Sequence, residues 1–160
     1  MEFIEGYDKP MQNKLEREPL ELIPDREWIN AKIYDVVYEI DVFNGKTQYI
    51  TNKKEEFILD KEGNKIPRKV FNITFNLNDY KLSNGNPRKA WLRLGASLGE
   101  NAKLPKFLDN LGIEVGPDAT PRDIEDMLKG MDVKIQLANR KSKDGSKTFQ
   151  NVVYDAVKPL

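Results

Sequence analysis

Apolar and polar residues alternate with a period of two along several stretches of this chain, and with a period near 3.6 along two others. The clearest alternation runs from Phe71 to Leu77, where Phe71, Ile73, Phe75 and Leu77 interleave with Asn72, Thr74 and Asn76. That is the pattern of a strand with one face in a core and the other hydrogen-bonding. From Lys89 to Leu94 it recurs, with Ala90, Leu92 and Leu94 on one face and Lys89, Trp91 and Arg93 on the other. A longer strand opens at Trp28, where Ile29, Ala31 and Ile33 share a face before Val36, Tyr38, Ile40 and Val42 take the opposite parity. The phase change at Asp35 predicts a β-bulge, which bends a strand sharply. Near the C-terminus Val133, Ile135 and Leu137 precede a lysine-rich turn and a second run, Phe149 to Val157. A two-residue turn at Asp144-Gly145 makes these a hairpin, pairing Leu137 with Val152, Ile135 with Tyr154 and Val133 with Ala156.

The helical period marks Leu104, Phe107, Leu108 and Leu111, spaced i, i+3, i+4, i+7, with Gly112 placed as a C-terminal cap. A second helix is predicted from Thr120 as N-cap, with Pro121 at N1 and Asp123 at N3, burying Ile124, Met127 and Leu128 and stopping at Gly130. Asn44-Gly45 is a turn signal, and residues 44–69 form a long connection with a second turn at Lys61-Glu62-Gly63-Asn64. Phe57-Ile58-Leu59 and Ile66 bracket that turn, which predicts an inserted hairpin. Residues 1–25 read as an arm, broken by Pro10, Pro19 and Pro24, with Glu16, Glu18 and Glu21 among Leu15, Leu20 and Leu22; residues 1–19 are set apart as an acidic arm and residues 20–160 as one domain.

The resulting order is three antiparallel strands, a helical connection and a two-stranded hairpin, with a bulge in the first strand. Among small folds this is the order of the OB barrel. The expected fold is mostly β with two short helices, a five-stranded OB-fold-like barrel carrying an inserted hairpin between strands 1 and 2. In such a barrel oligonucleotides cross strands two and three, clamped by the first and the last strand-connecting loops. Here those loops are residues 44–69 and 139–147.

Composition narrows the chemistry. With 160 residues, 39% hydrophobic and 32% charged, the chain suits one ordinary globular domain. It contains no cysteine and no histidine, which removes disulfides, thiolate nucleophiles, histidine relays and nearly all zinc sites. No catalytic residues, metal or cofactor are expected. A nuclease is disfavoured, since no constellation of acids sits at a strand end. No apolar run reaches the ~18 residues of a membrane span, and the start Met1-Glu2-Phe3-Ile4-Glu5 lacks the features of a signal peptide, so a cytoplasmic address is expected.

The formal net charge of zero conceals segregation. Residues 1–25 hold seven acids against three bases, whereas residues 133–147 hold five bases against one acid. Local field, not the sum, decides whether a phosphate backbone is attracted. The candidate nucleic-acid face combines Lys89, Trp91 and Arg93 with Asn72, Thr74 and Asn76 of the neighbouring strand, Lys134, Gln136 and Phe149 of the hairpin, the tip cations Arg140, Lys141, Lys143 and Lys147, and Arg68 and Lys69 of the insertion. Rings offer stacking at about 1–3 kcal/mol per base, and cations hold phosphates. Each has a plainer alternative: a one-residue shift of strand three would put Trp91 in the core. Phe149 would equally serve as a lid over the barrel end, and the tip cations as a solvated turn. Tyr80 with Lys81 reads as a strand cap. Glu55-Glu56 and Asp123, Glu125 and Asp126 have a metal-ligand look, but acids in a first helical turn favour the helix dipole.

Residues 24–33, Trp91-Leu92-Arg93-Leu94, the Leu104 to Leu111 helix ending in Leu-Gly-Ile, the segment Asp123 to Ile135 and the closing Asp144 to Val153 together resemble phage-type single-stranded-DNA-binding OB-fold proteins, long filed as domains of unknown function. The resemblance covers roughly residues 20–159 and lies in pattern more than in motif. It implies single-stranded DNA as partner, RNA being a second polymer of the same chemistry, held without turnover during phage replication or recombination in a host cytoplasm. A second reading is a protein–protein adaptor whose acidic arm docks a replication or recombination partner. A homo-oligomer is compatible with either.

Overall fold

In the computed structural model, residues 22–99, 102–146 and 148–160 are described. Strand β1 spans Ile29–Ile40, and its alternation drives Ile29, Ala31, Ile33 and Val36 into the core. The ladder between β1 and β4 (Lys69–Lys81) shifts register between Ile33 and Asp35, so the bulge falls where the parity changes. Beyond it only Val36 is buried, whereas Tyr38, Ile40 and Val42 are exposed. Parity had grouped them with Val36. Tyr38 packs its ring on Phe71, with centroids 5.3 Å apart.

The insertion is looser than one hairpin. Short strands β2 (Val42–Phe43) and β3 (Lys46–Thr47) pair around Asn44-Gly45, both with positive φ as a tight hairpin turn requires. Single bridges then join Tyr49 to Pro67, Thr51 to Phe57 and Leu59 to Lys65, the last closing the expected turn at 61–64. The segment has too few inward apolar residues to extend these bridges into ladders. It returns to β4, which pairs residue for residue with β5 (Pro87–Gly95) from Val70 to Leu77 before the register shifts.

Helix α1 (Lys103–Asn110) buries Leu104, Phe107 and Leu108, followed by Leu111, and ends at Gly112 with φ 73°. Helix α2 (Pro121–Leu128) begins with a reciprocal capping box between Thr120 and Asp123. It buries Ile124 and Leu128 but leaves Met127 exposed. Around α2 the free edge of β1 is satisfied without a further strand: Ile33 N–H donates to Met131 O, Gly130 N–H to Ile33 O, and Tyr38 N–H to the Glu125 carboxylate at 3.0 Å. The acids Asp123 and Glu125 are therefore engaged in capping and edge covering.

Strands β6 (Asp132–Lys141) and β7 (Thr148–Pro159) complete the sheet. Leu137 pairs with Val152, as a two-residue turn demands, but the register slips before Ile135, which faces Val157 rather than Tyr154, while Val133 faces Pro159 rather than Ala156. Residues 153–156 leave the ladder. At the tip the hydrogen-bonded pairing ends at Lys141 and Thr148, so the connection is longer than two residues.

The order across the five-stranded antiparallel sheet is β5-β4-β1-β6-β7. The expected closed barrel is not formed: no ladder joins the edge strands β5 and β7 among the described residues. Closing a sheet needs backbone pairing along both edges. Here β5 and β7 approach each other without pairing, and helix α1 packs against both. All described layers share one core, centred on Phe71, Phe75, Phe107, Ile33 and Ile135. The arm 1–19 lies outside the described residues.

Candidate nucleic-acid interface

The outer face of β4 and β5 follows from the same alternation that builds the core. Lys89 stands opposite Asn76, Trp91 opposite Thr74 and Arg93 opposite Asn72. Strand three is thus in the expected register, and Trp91 is 61% exposed. The polar neighbours fix the cations around it: Lys89 Nζ donates to Asn76 Oδ1 at 3.1 Å, and Arg93 Nε donates to Asn72 Oδ1 at 3.0 Å. The Asn72 amide in turn donates to Glu39. Trp91 therefore has an ordered, hydrogen-bonding surround and a free ring face.

Three aromatic or charged partners, Tyr34, Trp28 and Lys158, join this surface although they are not among the residues expected on it. Tyr34, in the bulge and 59% exposed, carries the Lys89 ammonium 3.9 Å from its ring centroid. Trp28, 43% exposed, carries the Lys158 ammonium at 4.1 Å. Contacts of this kind hold a cation and an aromatic face side by side. Lys134 pairs with both Asn30 and Lys158, and Gln136 follows it on the same face of β6. The signal was present for Trp28: it has the parity opposite to core-facing Ile29.

Asp41 was not anticipated. It is the buried acid of the described residues, 8% exposed, and its carboxylate lies 3.2 Å from Arg93 and 3.8 Å from Arg68. Two guanidiniums share one carboxylate, so together they present one net charge rather than two. Arg68 and Lys69 stand where the insertion rejoins the sheet, at the end of β5, and so border the Arg93 end of the face.

At the opposite end of β1, Arg140 pairs with Phe149, and Arg140, Lys141, Ser142, Lys143, Phe149 and Asn151 line a shallow depression of about 420 Å³. Arg140 and Phe149 share the parity of Lys134 and Gln136. The insertion and the basic tip thus stand at the two ends of the sheet, with the Trp91 face between them. Lys147 lies outside the described residues.

The Asp144 carboxylate is tied up within the turn. It accepts hydrogen bonds from the Ser142 hydroxyl at 2.6 Å, the Ser146 N–H at 3.0 Å and the Ser146 hydroxyl at 2.7 Å. The Ser142 bond, then those from Ser146, hold its pKa down at about 2 from an ordinary 3.8. Among the described residues no carboxylate is in ion-pair range of Arg140, Lys141 or Lys143. A depressed carboxylate stabilises the turn above its unfolded pKa, and that stabilisation is lost as pH falls through the folded value. The Ser146 amide resonance is expected to titrate with a midpoint near pH 2. A midpoint near 4 would mean the bonds do not persist in solution.

No family model matches the chain, and a comparison with curated proteins finds no match.

Proposed function

We propose that this protein binds single-stranded DNA with little sequence preference across the outer face of β4 and β5, holding and protecting the strand during replication or recombination of the phage type. The observation that carries the reading is Trp91, a large ring 61% exposed between Lys89 and Arg93 and opposite Thr74. Leaving so large an apolar ring in water has a use where successive bases stack on it, because every base offers a π-face. The polar Asn72, Thr74 and Asn76 beside it suit sugar and base edges, and the tip cations suit phosphates. The strand order β5-β4-β1-β6-β7 is that of the OB fold with its last pairing left open, and we read the sheet as an open form of that architecture. RNA presents the same stacking and phosphate chemistry.

Salt dependence tests the reading. If Arg93, Lys134, Arg140, Lys141, Lys143 and Lys147 neutralise roughly four to six phosphates, log K against log salt should have a slope of about −3 to −4 in fluorescence anisotropy with a labelled oligonucleotide. Replacing Arg140, Lys141 and Lys143 together by alanine should flatten it by about two units with the circular dichroism spectrum unchanged. A triple variant that binds with the original slope would remove the tip from the site, and absence of binding by the parent would remove the reading.

A further inference from the structure

Between the insertion and the end of β5 lies a groove of about 690 Å³. Its size falls within the roughly 300–1,000 Å³ of small-ligand sites. Ile50 and Ile66 supply an apolar wall, and four basic residues, Arg68, Lys69, Arg93 and Lys103, border it, with no carboxylate among the described residues that line it. Beneath Arg68 and Arg93 the single carboxylate of Asp41 holds both guanidiniums in place. The Arg68 guanidinium also lies over Gly95, 3.4 Å from where a β-carbon would sit, so a longer side chain there would take the space Arg68 occupies. The Lys103 ammonium rests 5.1 Å over the Tyr154 ring and the Lys69 ammonium 6.0 Å over Tyr38.

Among the described residues, four basic side chains border the groove against the one carboxylate of Asp41, more charge than a single internal phosphodiester would use. A terminal phosphate carries up to about two negative charges near neutral pH and three strong acceptor oxygens, and guanidiniums match such oxygens in paired hydrogen bonds. The apolar wall fits a base or sugar attached to that phosphate. We infer that this groove is a site for the phosphomonoester of a nucleotide, either the phosphorylated end of a single strand or a free mononucleotide. The strand-end source rests on the single-strand reading above, because the groove borders the Arg93 end of the Trp91 face; the free mononucleotide does not.

The test uses the full chain and fluorescence anisotropy with oligonucleotides of one sequence bearing a 5′-phosphate, a 3′-phosphate or hydroxyls at both ends, with thymidine 5′-monophosphate as a separate ligand followed by calorimetry. A phosphorylated end is expected to bind about tenfold more tightly than the hydroxyl form. Lys103→Glu reverses a charge at the groove and places an acid in the first turn of α1, where the helix tolerates it. Ser97→Trp fills the groove with a bulky ring. Both variants should lose the end preference and leave the hydroxyl oligonucleotide bound as before. Binding of the mononucleotide, abolished by either variant, with no oligonucleotide bound at all would keep the groove and refute the single-strand reading. Equal affinity for phosphorylated and hydroxyl ends, with no mononucleotide binding, overturns the inference while leaving that reading intact, and a preference that survives in both variants overturns it too.

Discussion

Replacing Trp91 by alanine is expected to weaken single-stranded DNA binding by about 1–3 kcal/mol, with the salt slope nearly unchanged. Stacking of a base on the indole releases no counterions, so loss of the ring lowers affinity at every salt concentration alike. Stability should change little, because a side chain 61% exposed contributes little buried area and its neighbours Lys89 and Arg93 keep their bonds to Asn76 and Asn72. Anisotropy titrations at several salt concentrations, together with a thermal melt, measure both quantities. A variant that melts several degrees lower and binds as tightly as the parent would mean that the ring serves the fold rather than a ligand.

Phe107→Ala is expected to have the opposite profile, costing about 3–5 kcal/mol of folding stability. Phe107 is fully buried on α1, a helix of eight residues. A helix that short does not persist alone, since helices below about 12–15 residues are marginal in water. Its stability comes from the stripe Leu104, Phe107, Leu108 and Leu111, buried in the shared core where α1 packs against β5 and β7. Removing the ring leaves a cavity where no ladder exists to hold the sheet edges together. Urea unfolding gives the loss directly; a change below about 1 kcal/mol would mean that α1 contributes little to closing the core.

How much of this was legible depends on the kind of information each feature needs. The face of β4 was readable because a one-residue slip would reverse every side chain, and the alternation of Phe71 to Leu77 leaves one arrangement with the apolar residues inside; for β5 the run Ala90 to Leu94 left Trp91 in the core as the alternative, which its pairing with β4 decides. Both helices were readable from their caps, Gly112 and the Thr120–Asp123 box. Parity says which way Tyr38, Ile40 and Val42 point, but not whether another layer buries them, and all three side chains stay exposed. The slip that sets Ile135 against Val157 was hidden because β7 offers apolar residues at adjacent positions, Val152 and Val153, so either phase buries a side chain. Closure of the barrel depends on pairing between strands distant in sequence, which alternation does not encode. Asp41 was missed for a similar reason: it is one acid among many until the fold brings Arg68 and Arg93 to it. Trp28 and Tyr34, by contrast, were missed although parity and the bulge pointed to them.

The most direct measurement follows the emission of Trp91 alone. The chain has two tryptophans, and Trp28 is also exposed, so Trp28→Phe leaves Trp91 as the single reporter. Adding an oligothymidylate at low salt to this variant is expected to quench the emission in a saturable way, in step with the anisotropy of a labelled strand, and raising the salt should restore it. Emission that stays constant while anisotropy reports a bound strand, or a strand that does not bind at all, would contradict the assignment of this face to single-stranded DNA.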